Sequence, residues 1–394
     1  MQRRQCFMKY TLNIVIKSAR QISEAMTTQK VDAFDTVNEI LRRIYAYPAL
    51  HENKFTIVLF LKFSILFMFI TFPVIMGFIG QLCYCVRTGD QQNALQAQHK
   101  LIEILNVILS FVIFFINGNK TIKFIKNIRE SSFEECQCVD IVMTKYRKTI
   151  TIMYWFATLL CISYLVNSIH NQTFCDYERV AKDAKYVCGA GAALRFPVEL
   201  NRFFKFYIDF LVVMALTMYF PPAFMIPFLA GVGLSILECR LQHLATMLQN
   251  INCSEDDVMN LKRKFNRCIK YYAKTRRLVN ELNDSIGYNF IQQYSMMAVL
   301  LALFEYETMK TKSILAILRL VGYLIFEITT CTFGQRLINQ NDKLYDVVNS
   351  IEWYDMPPEI RNNFKFFILL VQRPMHLLAK PLIVLNYEFL LMVI

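Results

Sequence analysis

The stretch from Ile236 to Ile286, ILECRLQHLATMLQNINCSEDDVMNLKRKFNRCIKYYAKTRRLVNELNDSI, decides the architecture. Leu237, Leu241, Leu244, Leu248 and Ile251 step by four and three residues. After a turn at Asn252-Cys253-Ser254, where Ser254 can cap, Leu261, Phe265, Cys268, Tyr272, Thr275, Val279, Leu282 and Ile286 repeat the pattern. Such spacing puts each set on a narrow apolar seam along one face of a helix. Lys262-Arg263-Lys264 and Arg276-Arg277 fall off that seam. The pattern fits two helices packed in an intracellular bundle that mediates assembly, or a helical hairpin lying on a membrane surface.

Working outward, the charge disappears. Apolar runs long enough to span a bilayer, about 18–20 residues, cover 55–79, 101–118, 149–169, 205–234, 286–304, 313–334 and 364–394. The second is weakened by Glu103 and Asn106, and the last is interrupted at Pro374 and Pro381. The fourth and fifth spans are therefore expected to continue as long helices into water. Residues 336–363 also read as helical, with Leu337, Leu344, Val348 and Ile351 on one side, up to a turn at Trp353-Tyr354-Asp355-Met356-Pro357-Pro358.

Composition agrees. Of 394 residues 55% are hydrophobic and 19% charged, with 33 Phe, 20 Tyr and 18 Met. Soluble domains sit nearer 45–50% apolar and about 25% charged. This excludes disordered, collagen-like and small disulfide-stapled chains and predicts an all-α, polytopic membrane protein. The net charge of +12 comes from basic residues lying between the apolar runs, so it reads as a topology signal and not as a nucleic-acid surface. With the N-terminus inside, the inner segments 1–54, 119–148, 235–285 and 335–363 hold 28 Lys and Arg, against nine in the outer segments 80–100, 170–204 and 305–312. Seven spans then put the C-terminus outside. Residues 1–54 contain no apolar run of signal-peptide length, and neither end carries a lipidation motif.

Two features of the outer segment 170–204 fit that orientation. Asn171-Gln172-Thr173 is a glycosylation sequon. Cys175 and Cys188 share the loop, where a disulfide could persist, or they stand as two unpaired cysteines. The other cysteines show no metal spacing, the five His are scattered, and no nucleophile elbow, Walker loop, HExxH or dinucleotide fingerprint appears. No metal, cofactor or enzymatic activity is expected. A G-protein-coupled receptor would have its N-terminus outside and an Asn-Pro in its last span, and this chain contains no Asn-Pro. A transporter would show a repeat between its halves, and these halves differ.

The C-terminal third carries a resemblance. Cys331-Thr332-Phe333-Gly334, then Leu337, Asn341, Leu344, Val347, Trp353-Tyr354, Pro357, Arg361, Gln372-Arg373-Pro374 and Phe389 resemble the signature of insect odorant receptors. Cys268-Ile269-Lys270-Tyr271 through Leu282-Asn283 and Gln293, and His243 to Leu248, resemble the inner ends of that family's fifth and fourth helices. The motifs cover roughly 240–394, and topology alone covers the remainder. The resemblance implies seven helices and an odorant-gated, non-selective cation channel in the plasma membrane of a sensory dendrite. Four subunits, usually odorant-binding subunits with a coreceptor, surround one pore. It divides the chain into a cytosolic segment 1–54, spans over 55–235, a cytosolic anchor extension 236–286, spans over 287–334, anchor helices 335–377, and from 378–394 the start of a pore-lining helix. Tyr272 stands where members often carry His, and the sequence stops at Ile394, where members run on for several turns. The segment 235–285 is shorter than the coreceptor's, which favours a ligand-tuned subunit. A gustatory receptor of the related channel class is the nearest alternative.

The expected ligand is a small volatile molecule in an apolar and aromatic pocket in the outer half of the bundle. Candidate lining residues are Leu105, Leu109, Tyr164, Phe210, Met214, Thr217 and Tyr323, with Tyr164, Tyr323 and Thr217 as hydrogen-bonding groups. In the sixth span, Arg319 and Glu327 lie two turns apart, as a link between pocket and pore, as an interhelical pair, or as an interfacial Arg. Near the end, Glu388 would attract cations, and Phe389, Leu390 and Val393 are candidates for the pore axis. Expected partners are the odorant, coreceptor subunits and membrane lipid, with no nucleic acid.

Overall fold

The computed structural model describes residues 33–42, 47–48, 56–133, 141–152, 154–155, 159, 185–189, 192–218, 220–251, 258–311, 314–381 and 383–393. Its helices include α1 (Ala33–Arg42), α2 (Ile57–Thr88), α3 (Gln91–Phe133), α4 (Arg202–Met218), α5 (Phe220–Gln249), α6 (Val258–Thr311), α7 (Ile314–Ser350), α8 (Pro358–Val371) and α9 (Tyr387–Val393). Among the described residues, α2 and α3 are long and apolar enough by themselves to cross a membrane.

Helix length argues for departure from the membrane. At 1.5 Å per residue, the 54 residues of α6 extend about 80 Å. A bilayer with its headgroups is about 40–45 Å thick, so roughly half of α6 stands beyond it. Every seam position of the opening stretch is inside. Leu237, Leu241, Leu244 and Leu248 of α5, and Leu261, Phe265, Cys268, Tyr272, Thr275, Val279, Leu282 and Ile286 of α6, are all 3% exposed or less. Where α5 and α6 face each other, the fully buried Arg240 guanidinium lies 4.3 Å over the Tyr271 ring. Its Nε donates to Thr275 Oγ1 at 3.2 Å. Burial pushes the Cys268 thiol up to about 11, leaving it a packing group and not a nucleophile.

The lipid side is equally legible. In α2, Ile57, Ile65 and Phe69 are 79, 69 and 63% exposed, while Phe63, Phe67, Ile70 and Val74 are buried. Thr56 caps the start of α2 by accepting from Leu59 N, and Gly89 ends it in the left-handed region at φ 73°, a conformation that costs glycine little. The fourth apolar run is helical in both α4 and α5, with Pro227 inside α5.

Two short hairpins depart from the all-α expectation. Strands β1 (Tyr186–Gly189) and β2 (Ala192–Arg195) pair antiparallel in the segment read as an outer loop. The β2 end lies against α2 so closely that a Cβ at Gly80 would sit 2.0 Å from the Arg195 carbonyl oxygen. The second hairpin, β3 (Leu378–Ala379) with β4 (Ile383–Val384), follows Pro374 and carries Pro381 in its turn. That run is therefore not one interrupted helix. Gln372 and Pro374 end α8, the chain turns back on itself, and the final helix starts only at Tyr387.

Candidate functional site

Two regions on α6 and α7 stand out, called outer and inner here after the orientation expected from the charge pattern. The outer one is a small separate cluster of Met297, Leu300, Leu301 and Phe304 from α6 with Tyr323 from α7. Ile102 of α3 and Leu320, Leu324 and Phe326 of α7 close around it. Phe304 and Tyr323 stack with centroids 5.5 Å apart and planes 20° from parallel. The His99 ring of α3 meets Phe304 at 5.1 Å, and its Nδ1 lies 3.0 Å from Glu307 Oε2 with both side chains buried. One turn along α3, Lys100 pairs with the buried Glu103 at 2.5 Å. Sequence reasoning missed the His99–Glu307 pair, because the partners are far apart along the chain. The available signal was an ionisable residue placed opposite apolar neighbours on each helix.

Of the predicted pocket residues, Tyr323 sits in this cluster at 8% exposure. Phe210 and Met214 of α4 pack against the larger core instead. Leu105 is 44% exposed on α3, and Leu109 is half-buried. Thr217 belongs to the last turn of α4. Tyr164, Asn171 and Cys175 lie outside the described residues, and Cys188 belongs to β1. The described residues thus do not gather all these candidates into one pocket. In α7, Arg319 falls in the second turn and Glu327 is fully buried.

The inner region is a clasp around the second hairpin. Asn283 of α6 donates from Nδ2 to the His376 carbonyl at 2.9 Å and accepts from Leu378 N at 3.0 Å. Lys380 N donates to the Gly287 carbonyl at 3.0 Å, and its ammonium pairs with Asp284. From the other side, a Cβ at Gly334 of α7 would lie 1.9 Å from the Leu385 carbonyl oxygen. Glycine is required there by contact, not by torsion. Gln335 Oε1 accepts from Tyr387 N at 3.3 Å, and Asn386 Oδ1 caps α9 by accepting from Phe389 N at 2.9 Å.

The motif residues serve the same construction. The last carbonyls of α8 need partners. Tyr272 Oη donates to Leu370 O at 3.0 Å, and Asn341 Nδ2 donates to Val371 O at 3.1 Å. Burial raises the Tyr272 hydroxyl's pKa above its ordinary value, so it stays a donor. Arg361 binds the Met356 carbonyl through Nε and Nη2 at 3.2 and 3.0 Å, closing the turn that holds Trp353, Tyr354 and Pro357. Gln372 Nε2 donates to the Tyr345 hydroxyl at 3.2 Å, and Pro374 follows in the extended segment leading to the hairpin. In α9, Glu388, Leu391 and Met392 are exposed. Phe389 meets Tyr294 of α6 edge-on at 5.1 Å, and Leu390 packs partly against the core. Val393 ends the helix.

Long helices that outrun a bilayer, an aromatic cluster at one end and a clasped C-terminal helix at the other define a helical membrane receptor scaffold. Residues 92–393 match the family model described as 7tm odorant receptor, and the chain belongs to that family. The chain is accordingly a transmembrane chemoreceptor of olfaction, a receptor or channel class and not a known class of enzyme. Its fold is similar to that of the insect olfactory receptor OR5 from Machilis hrabei. The TM-score is 0.62 at 14% identity, over 91% of this chain and 94% of that one. A second structure of OR5, in complex with eugenol, aligns with TM-score 0.61 at 13% identity over 91% and 93%. No curated protein sequence matches.

Proposed function

We propose that the chain is a ligand-tuned subunit of an odorant-gated, non-selective cation channel. It has seven spans, a cytosolic N-terminus and an extracellular C-terminus, and it assembles in the plasma membrane as a tetramer with coreceptor subunits. The observation that carries this reading is the clasp. It fixes the start of α9 to α6 and α7, the same two helices that build the outer aromatic cluster. A ligand that rearranges the outer cluster therefore acts on the helices that hold α9. Binding biases a closed–open equilibrium by its differential affinity for the two states.

Assembly has its own support. In α8, on the segment assigned to the cytosol, Phe366, Leu369 and Leu370 are 68, 57 and 44% exposed, opposite the buried Ile360, Phe364 and Phe367. Lipid cannot cover them there, and neighbouring subunits would. The ligand we infer is a small, mostly apolar volatile molecule with a polar group, bound near Tyr323. OR5 has been solved with eugenol, a molecule of that class. Glu388 and the outward face of α9 would line the cation path.

Whole-cell current in cells expressing this chain with and without an insect coreceptor, under an odorant panel, tests the reading. Odorant-evoked cation current that needs the coreceptor is the expected result, and current without it would make the chain a homomeric channel. Silence in both, with surface expression confirmed, would sink the channel. An N-terminal tag accessible only after permeabilisation checks the orientation.

A further inference from the structure

Between the outer cluster and the clasp, one face of α7 carries Tyr323, Glu327 and Cys331, each one turn after the last. Glu327 and Cys331 are both 0% exposed. Neither carboxyl oxygen of Glu327 has a hydrogen-bond partner among the described residues. In either protonation state the group accepts hydrogen bonds, and leaving a buried acceptor unmet is costly. Ionisable groups at membrane depth are kept where they do something.

Facing this part of α7 is Tyr294 of α6, itself 5% exposed. Its hydroxyl lies 3.5 Å from the Cys331 sulfur, a weak partner, and is within electrostatic reach of Glu327. The hydroxyl stands beside Thr330 as well, and on the face that carries Glu327 its contact is with Cys331, the weaker acceptor, one turn or about 6 Å from the carboxyl. The same tyrosine ring stands edge-on to Phe389 in the first turn of α9, with centroids 5.1 Å apart and planes at 83°.

We propose that Tyr294 is a two-position toggle. Its hydroxyl rests on the Cys331 thiol in the arrangement seen here and moves to the Glu327 carboxyl in the arrangement an odorant favours. The ring carries Phe389 with it, and Phe389 carries the start of α9. Glu327 and Tyr294 are positioning residues, since neither is assigned contact with odorant or ion. Tyr323, one turn above Glu327, ties the toggle to the outer cluster. A discrete switch of one hydrogen bond between packed helices is the kind of bistable element that converts a small ligand-induced shift into a defined movement. The consequence for current rests on the channel reading above; the movement itself does not.

The test uses the full chain with two readouts, odorant-evoked current and the emission of a fluorophore attached at position 391 (Leu391→Cys), where the native side chain is 79% exposed. Tyr294→Phe keeps the ring and removes the hydroxyl. Maximal current is expected to fall about tenfold, the worth of one buried hydrogen bond, and the odorant-induced change at 391 to fall with it, at unchanged surface level. Glu327→Leu should reproduce that loss, Glu327→Gln, which still accepts, should retain the response, and the double variant Tyr294→Phe/Glu327→Leu should be no worse than either single change. Should Glu327→Leu fail to reach the surface, Tyr294→Phe and Glu327→Gln still decide. A fluorescence change at 391 that Tyr294→Phe leaves intact, that the wild type never shows, or that Glu327→Gln abolishes would overturn the toggle. Absent wild-type current with a fluorescence change that Tyr294→Phe removes would instead sink the channel reading and keep the toggle.

Discussion

The inner and outer ends of α6 and α7 follow different rules. At the inner end the polar groups of the chain turn are met by named side chains. Asn283 serves two backbone groups, Tyr272 and Asn341 meet the last carbonyls of α8, and Gly334 admits the Leu385 backbone to direct contact. At the outer end the cluster holds five buried residues. Its buried His99 lies beside Glu307, yet among the described residues neither ring nitrogen has hydrogen-bond geometry to a partner. Among the described residues, Asn341 Oδ1 and His376 Nδ1 at the inner end stay without a partner, but the backbone groups of its turn are met by side chains from two helices, which specifies one arrangement. The outer end rests on stacked rings, which fix it less tightly. On the function proposed above, the inner end holds and the outer end responds.

The comparison breaks most easily at Gly334. Replacing it by Ala puts a methyl group 1.9 Å from a backbone oxygen, where no side chain can yield. The clasp must open or α7 must move, at a cost of about 3 kcal/mol or more. The thermal midpoint of the purified protein should drop steeply, and surface expression with it. A protein that tolerates Gly334→Ala would show that the Leu385 backbone is not held against α7.

Asn283→Ala comes next. It removes one donor and one acceptor from a buried turn, which costs about 2 kcal/mol, and should lower the midpoint without abolishing folding. Asn283→Asp keeps the bond from Leu378 N but sets a buried carboxylate oxygen against the His376 carbonyl, so it should cost at least as much. Tyr272→Phe is milder, about 1 kcal/mol for one hydrogen bond whose ring packing against Phe367 survives. If these variants changed odorant potency and left stability alone, the inner end would belong to the responding part.

These differences also mark what sequence could reveal. The seam of α5 and α6 was legible position by position, because burial in a packed helix pair repeats with the helix period and every seam residue obeys it. The two proline breaks were legible, but the hairpin that turns at the second of them was not. β3 and β4 are two residues each, too short for any alternation, and the hairpin is held by α6 and α7 more than by its own pairing. The motif residues Gly334, Arg361 and Gln372 were visible as a pattern. Their reasons, a contact with Leu385, a closed turn at Met356 and a bond to Tyr345, exist only across the fold. The His99–Glu307 pair and the Tyr294–Glu327 face were hidden for the same reason. A lone ionisable residue in an apolar run states that something must meet it, and never which helix will.

The smallest expected effect on stability is the most informative about the outer end. Tyr323→Phe keeps the ring that stacks on Phe304 at 5.5 Å and removes only the hydroxyl, at a position already 8% exposed. If that hydroxyl reads the polar group of an odorant, potency for an oxygen-bearing ligand should fall by about tenfold, one hydrogen bond's worth. Potency for an apolar analogue of the same size should stay put, and the thermal midpoint should barely move. The pair of dose–response curves is what decides, since a packing role would shift both ligands together. A stability loss as large as that of Tyr272→Phe, with parallel curves for both ligands, would mean that Tyr323 is held as tightly as the clasp, and that the responding surface lies elsewhere in the bundle.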